Sequence, residues 1–309
     1  MEVIRSFDQL QALGSRFCLA IGVFDGVHRG HQAVIRAALD DAQACGGRAV
    51  AVTFDPHPMR VLAPSRAPLL LTSTPHKLAL IRQLGAPIAL VIPFDRAFAS
   101  TPAAEFVEMV ARRTPGLQTI CVGARFQFGK DRKGNAALIQ KMSVGRTFRL
   151  HEVAPVTLDG EIISSTAVRK TVAAGHLDKA ARMLGRPFSI LGTVVAGDKI
   201  GQKLGFPTAN LNRHNEVAPP CGVYAVRARI AGQLRPGVVN IGLRPTVASD
   251  ARMPLLELHV LDFNGDLYGT DIEVFFVSRL RDEMKFPSLD DLRAQIQRDV
   301  QQARTVLAA

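Results

Sequence analysis

The chain has 309 residues, of which 47% are apolar and 21% charged, with a formal net charge of +11. Its length exceeds the usual single domain and predicts two, and its composition is that of a globular protein with packed cores. A helical membrane span is excluded, because no apolar run approaches the ~20 residues a bilayer demands; the nearest, 78–92, is broken by Arg82, Gln83, Gly85 and Pro87.

The start, Met1-Glu2-Val3-Ile4-Arg5, carries an acid and no long apolar stretch, so no secretory signal is expected and the expected compartment is the cytoplasm. In chain order, 18–23 is a short apolar run that predicts a buried strand. Helical periodicity follows over 32–44 through Val34, Ile35, Ala38 and Leu39, and Gly46-Gly47 stops it. Between strand and helix lies Gly22-Val23-Phe24-Asp25-Gly26-Val27-His28-Arg29-Gly30-His31. Histidines three apart in a first helical turn share a face where free backbone N–H groups and the positive helix end favour an anion. Two imidazoles there can donate hydrogen bonds to a phosphoryl group as its charge develops. Gly30 would let a phosphate approach the backbone, and Asp25 could orient a metal or a ribose.

Strand-like runs at 49–54, 88–92, 119–122 and 148–153 alternate with helical stretches. That alternation predicts an α/β unit with a parallel, helix-covered sheet, whose ligands bind beyond the carboxyl ends of the strands. After 180–187 the texture changes to short strands at 190–196, 222–230, 237–241, 255–261 and 272–277, separated by glycine and proline turns. Even, short spacing of this kind predicts an antiparallel barrel or sandwich. Ser288 and Asp291 then form a helix-capping signal ahead of an apolar stripe of Leu289, Leu292, Ile296, Val300 and Leu307, a helix expected to pack on the barrel. The predicted domains are 1–183 and 184–309.

Cys18, Cys45, Cys121 and Cys221 show no CxxC and no His-paired zinc spacing, and are read as free thiols of a reducing compartment. Arginines are scattered rather than clustered, and with no tryptophan and two tyrosines there is little aromatic surface for bases. The positive charge is therefore assigned to anionic substrates; neither a nucleic-acid nor a membrane partner is expected, and self-association is compatible with the sequence.

Taken together, the motifs resemble those of bacterial bifunctional riboflavin kinase/FAD synthetases, over almost the full chain. The first half carries the resemblance through 22–31, Thr53-Phe54-Asp55-Pro56-His57-Pro58, Val122-Gly123-Ala124-Arg125-Phe126-Gln127-Phe128-Gly129 and Ile163-Ser164-Ser165-Thr166-Ala167-Val168-Arg169. The second carries it through Leu204-Gly205-Phe206-Pro207-Thr208-Ala209-Asn210-Leu211, Asn240-Ile241-Gly242-Leu243-Arg244-Pro245-Thr246 and Glu257-Leu258-His259. The implied fold is a Rossmann-like nucleotidyltransferase domain followed by an antiparallel β-barrel riboflavin kinase domain with a terminal helix.

For the first module the resemblance implies AMP transfer from ATP to FMN, giving FAD and pyrophosphate. It puts His28 and His31 on the ATP phosphates and Gly22, Phe24, Asp25 and Gly30 in the nucleotide site. Ser164, Ser165, Thr166 and Arg169 could hold the pyrophosphate, although read alone Ser-Ser-Thr is a helix cap. The two prolines of 54–58 make a rigid turn, with a wall of the nucleotide pocket as the second reading. Arg125 departs from the family pattern, which has an acidic or amide residue there; it could bind the FMN phosphate or be solvated beside Lys130 and Arg132. Lys141-Met142-Ser143 resembles the lysine loop of class I tRNA synthetases but reads as helix surface, and 123–130 lacks P-loop spacing.

For the second module the resemblance implies phosphorylation of riboflavin by ATP. Gly197, Lys199, Gly201 and Gly205 lie in a loop whose backbone could cradle phosphates. Thr208 and Asn210, two apart in an extended segment, are the implied ligands of Mg2+ with ATP. Glu257 is the implied general base, on the strand face opposite Leu256, Leu258 and Val260. Arg281, Glu283 and Phe286 resemble a flavin-side loop. Two other readings are compatible with the residues: a riboflavin kinase with an inactive adenylyltransferase module, and a non-catalytic regulatory protein that binds flavin or nucleic acid.

Overall fold

The computed structural model describes residues 1–197, 201, 204–242 and 255–308. The chain divides into two compact units, Met1–Pro68 with Thr74–Ser165, and Leu69–Ser73 with Thr166–Ala309.

The first unit is a six-stranded parallel sheet: β1 (Glu2–Ile4), β2 (Phe17–Ile21), β3 (Arg48–Asp55), β4 (Ile88–Pro93), β5 (Leu117–Gly123) and β6 (Arg149–Val153), in the order β1-β4-β3-β2-β5-β6. Its helices are α1 (Phe7–Ala12), α2 (Arg29–Cys45), α3 (Pro58–Leu62), α4 (Thr74–Gln83), α5 (Arg96–Ala99), α6 (Ala103–Arg113) and α7 (Ala136–Ser143). A small hairpin, β7 (Thr157–Leu158) and β8 (Glu161–Ile162), follows. All five residues of β2 are buried, which is why the strand reads as an unbroken apolar run. Alternate residues face opposite layers. Phe17, Leu19 and Ile21 enter one core with Phe106, Val107 and Ile139, while Cys18 and Ala20 join Ala49, Ala51, Val34 and Ala38 in the other, where small side chains let α2 lie close to the sheet.

The chain runs from β2 to β3 to β4 on one side, then returns to place β5 on the other side of β2. The carboxyl end of β2 is thus the topological switch point, where an open α/β sheet offers its crevice. α2 begins there, and it ends at Gly46, whose φ of 63° is the left-handed cap that glycine adopts without a Cβ penalty.

From Thr166 on, the second unit comprises α8 (Ser165–Ala173, its first residue counted with the first unit), α9 (Leu177–Leu184) and a closed antiparallel barrel. Its strands are β9 (Ser189–Val195), β10 (Ala209–Arg213), β11 (Gly222–Ile230), β12 (Gln233–Gly242), β13 (Leu255–Val260) and β14 (Asp271–Arg281), ordered β10-β13-β12-β11-β14-β9 and closed by the β9–β10 pair. Tyr224, Val239, Ile241, Leu256 and Leu258 are fully buried inside. The outer face carries α10 (Leu289–Ala308), whose Ala303 and Leu307 pack on Val223, Ala225 and Val238. Ser288 caps α10 as expected: its Oγ accepts from Asp291 N at 3.1 Å and donates to Asp291 Oδ2 at 2.6 Å.

Both predicted fold classes are present, and the differences are local. β1 is a three-residue edge strand with no run long enough to detect, and β10 offers one buried leucine among polar residues. β12 starts four residues earlier than expected, at Gln233, and β14 ends four later, at Arg281. Leu289, expected in the apolar stripe of α10, is 64% exposed because it stands in the overhanging first turn. Residues 69–73 are attached to the second unit: Leu70 N donates to Glu216 Oε2 at 2.7 Å, and Leu70 O accepts from Glu216 N and Val217 N.

Candidate active sites

In the first unit the site is built at the junction of β2 and α2. His28 is the N-cap of α2 rather than part of its first turn, and its Nδ1 accepts from His31 N at 3.3 Å. That cap bond uses the Nδ1 lone pair, so the neutral ring carries its proton on Nε2, as a donor. The His28 and His31 rings stack 3.6 Å apart at 19°. The shared face expected from spacing is therefore a face-to-face pair at the positive end of a 17-residue helix.

The glycines of the motif serve these rings. A Cβ on Gly30 would come within 3.2 Å of His28 Nδ1 and Cε1, so its bareness first makes room for the imidazole. A Cβ on Gly22 would lie 2.7 Å from the Phe24 ring, which folds back at a φ of 53°. Phe24 is 1% exposed and meets His31 edge-on at 5.4 Å, so it props the histidine from beneath instead of lining an open surface. Asp25 is buried, and its carbonyl accepts from Ser165 Oγ at 2.9 Å, which brings the Ser164-Ser165 pair beside the histidine motif. Thr166 is exposed, and Arg169 Nε donates to Leu69 O at 2.7 Å; both belong to the second compact unit.

Sequence reasoning missed Lys77. This lysine is 5% exposed, and its Nζ reaches Thr53 Oγ1 at 3.0 Å, Val23 O at 3.2 Å and Phe54 O at 3.3 Å. It ties the motif loop to the carboxyl end of β3. The signal was present: Lys77 shares the buried stripe of α4 with Leu80 and Ile81, an unusual place for an ammonium. Burial lowers its pKa from 10.5 to about 8, against the opposing pull of Asp25 and Asp55. Between those two values the unfolded chain binds the proton and the folded one does not, so this group makes stability rise with pH across that window. Lys77→Met is expected to remove that rise, about 3 kcal/mol in all. The check is the difference between the variant and the parent protein in unfolding free energy from pH 8 to 10.5.

A chain of phenylalanines was also missed. Phe54, Phe94, Phe98, Phe106 and Phe128 follow one another at 5.4 to 6.1 Å, and Phe126 stacks on Phe128 at 5.3 Å. The turn at 54–58 has a cis Asp55–Pro56 bond, and His57 caps α3 through Nδ1. Arg125 is exposed, and Lys141 lies on the outer face of α7.

In the second unit the site is a row across the barrel. Strand register pairs Asn210 with Glu257, Glu257 with Asn240, Asn240 with Val223, and Val223 with Arg281. Directly opposed residues share a face, so these side chains form one band on the outside of the barrel. Glu257 is flanked by two asparagines, with Leu256 and Leu258 pointing inward as expected. The band opens into a cavity of about 430 Å³ under α10, lined also by Thr208, Glu283, Phe286 and Ile296. Thr208 lies just before β10 and is exposed; it is shared with a second cavity of about 310 Å³ that includes Phe263 and Tyr268.

Gly197 sits against the Asn210 amide, where a side chain would collide, and Gly201 does the same for Phe206 O and Thr208. Gly205 turns the chain at a φ of 88°. Lys199 and residues 243–246 lie outside the described residues. Thr208, Asn210 and Glu257 offer a hydroxyl, an amide and a carboxylate in one cavity, an all-oxygen set that suits Mg2+ together with substrate phosphates. Arg281 lines the cavity and is fixed there: its Nε and Nη2 grip Asp299 of α10 at 2.8 to 3.0 Å, and its guanidinium lies 5.8 Å from the Phe286 ring centroid. Asp299, 3% exposed and absent from the sequence-based site, is what holds Arg281 and through it the cavity wall.

A helix start capped by stacked histidines at a sheet's switch point, joined in one chain to a carboxylate-bearing cavity on a closed barrel, is the layout of a two-module transferase, and the family matches give its class. Family profiles described as FAD synthetase and riboflavin kinase match residues 11–167 and 184–307. The chain is 41% identical to a bifunctional riboflavin kinase/FMN adenylyltransferase of Pseudomonas fluorescens, covering 100% of this chain and 98% of the relative. It is 39% identical to the protein of the same description from Escherichia coli strain K12, over 98% and 97% of the two chains. A crystal structure described as a macrolide-efflux protein from Streptococcus pneumoniae superposes with a TM-score of 0.82 at 28% identity, over 98% of this chain and 99% of that one. The chain belongs to the bifunctional riboflavin kinase/FMN adenylyltransferase family.

Proposed function

We propose that this chain phosphorylates riboflavin to FMN in the barrel cavity and adenylylates FMN to FAD at the start of α2, with ATP as the donor at both sites. The observation that carries the reading is the Asn210–Glu257–Asn240 row opening into the 430 Å³ cavity, in a chain that also stacks His28 on His31 at a helix start. The catalytic halves run over 1–183 and 184–309, in the cytoplasm, with no nucleic-acid or membrane partner. Among the described residues no helix is long and apolar enough to cross a membrane.

In the kinase half, Thr208 and Asn210 hold Mg2+, which screens the ATP phosphates when bound. Gly197, Gly201 and Gly205, with Lys199, form the phosphate loop, and the adenosine occupies the 310 Å³ cavity between Phe263 and Tyr268, whose ring faces suit a purine. Glu257 accepts the proton of the ribityl hydroxyl as it attacks the γ-phosphorus. Phe286 and Glu283 border the flavin, and Arg281 positions Phe286 from its bond to Asp299.

In the adenylyltransferase half no covalent protein nucleophile is required, because the FMN phosphate itself attacks the α-phosphorus. His28 Nε2 and His31 donate hydrogen bonds to the charge that develops between the two anions, at the positive end of α2. Ser164 and Ser165, held beside the motif by the Ser165 bond to Asp25, receive the pyrophosphate. Half-buried Phe94, Phe98 and Phe126 offer aromatic faces for the isoalloxazine ring. Incubating the protein with riboflavin, ATP and Mg2+ tests the reading: FMN and FAD together are expected. FMN alone leaves only the kinase, as the exposed Arg125 departure would allow, and neither product overturns both halves.

A further inference from the structure

Asp41, near the end of α2, extends one carboxylate oxygen toward two strands. Its Oδ2 lies 3.6 Å from Cys121 Sγ on β5 and 2.9 Å from His151 Nδ1 on β6. The three donor atoms lie within 4.8 Å of one another, and Cys121 and His151 are direct register partners. We propose that Asp41, Cys121 and His151 form a binding site for a zinc-class divalent cation, separate from both active sites.

Four features of the geometry support this. A thiolate, an imidazole and a carboxylate are the donor types of tetrahedral zinc sites. Bond lengths of about 2.0–2.3 Å around such an ion require donor separations near 3.3–3.6 Å; Sγ and Oδ2 stand at 3.6 Å, Nδ1 and Oδ2 must open from 2.9 Å, and Sγ and Nδ1, within 4.8 Å, must come to the same spacing. The second carboxylate oxygen, Oδ1, accepts from Arg149 Nη2 at 2.7 Å, which fixes the group and leaves Oδ2 as the ligating atom. Solvent reaches the site through His151, whose side chain is 40% exposed, and a fourth ligand would be a water from that side.

Binding must displace the Cys121 proton, so each ion taken up releases one proton to solvent as the Sγ–metal bond forms. Arg149 is the cation bonded to Asp41, and the thiols of Cys18 and Cys45 lie 3.9 Å from one another. Asp41 stands ten residues beyond His31, about 15 Å along the helix, so the ion would pin the far end of α2 to β5 and β6 and stabilise the fold by mass action.

The test is a cobalt titration of the chelator-stripped full-length protein in excess Mg2+, which occupies oxygen-only sites. Expected are the absorption of four-coordinate cobalt and a thiolate-to-cobalt charge-transfer band, saturating at one ion per chain and bleached by zinc. Cys121→Ser and His151→Ala are each expected to lose the bands while still forming FMN and FAD, and Cys45→Ser to keep them. Absence of the bands overturns the proposal, as does their persistence in His151→Ala, a rim substitution that spares the core, or their loss in Cys45→Ser.

Discussion

Replacing both His28 and His31 by alanine is expected to stop FAD formation, by roughly 10³-fold or more, while FMN accumulates from riboflavin. The size follows from the charge problem. The FMN phosphate and the ATP triphosphate are both anions, and removing one preorganised donor from a developing phosphoryl or oxyanion centre typically costs 10²–10³ in rate. Two stacked rings act as one unit here, so the double loss is not the product of two single ones. His28 also caps α2, and losing a cap costs about 1 kcal/mol of helix stability. His28→Asn separates the roles, because asparagine is itself a strong N-cap: that variant is expected to melt with the parent protein and still lose FAD formation. Product chromatography after incubation with riboflavin, ATP and Mg2+ reads both outcomes. Disappearance of FMN as well, in a folded double variant, would falsify the two-site assignment.

The fold was legible where one physical signal dominated. Alternating strand and helix, with β2 buried on both faces, predicted the parallel sheet, and the spacing of glycine and proline turns predicted the barrel. β1 and β10 escaped because three residues, or one leucine among polar neighbours, carry too little pattern. The site was legible as motifs but not as contacts. Gly30 reads as room for a phosphate, and what the sequence does not announce is that a side chain there would also crowd the His28 ring, or that Phe24 meets His31 edge-on. Asn240 and Asp299 flank the kinase cavity through register and helix docking, which no local spacing announces. The same is true of Asp41, Cys121 and His151: 80 and 110 residues separate Asp41 from its neighbours, so a search for CxxC or His-paired spacing could not assemble them.

Glu257→Gln is expected to lower kcat for FMN formation by roughly 10²–10⁴-fold, the usual share of a positioned base. Glutamine keeps the size and polarity of the side chain between Asn210 and Asn240, so the barrel row survives and the loss reports chemistry rather than folding. In a loose phosphoryl-transfer transition state the hydroxyl proton leaves late, and the carboxylate therefore contributes little to holding riboflavin; KM for riboflavin should stay within a few-fold. A solvated carboxylate on an outward strand face would give an unchanged kcat. A carboxylate needed only to hold the cation would instead raise the Mg2+ concentration for half-maximal rate, with kcat recovered at saturating Mg2+. Steady-state rates at several Mg2+ concentrations distinguish the three. FAD formation from supplied FMN should be unaffected, because Glu257 lies on the outer face of the barrel whereas His28 and His31 stand at the switch point of the other sheet. An equal loss of both activities would therefore point to global destabilisation and remove Glu257 from its role as the base.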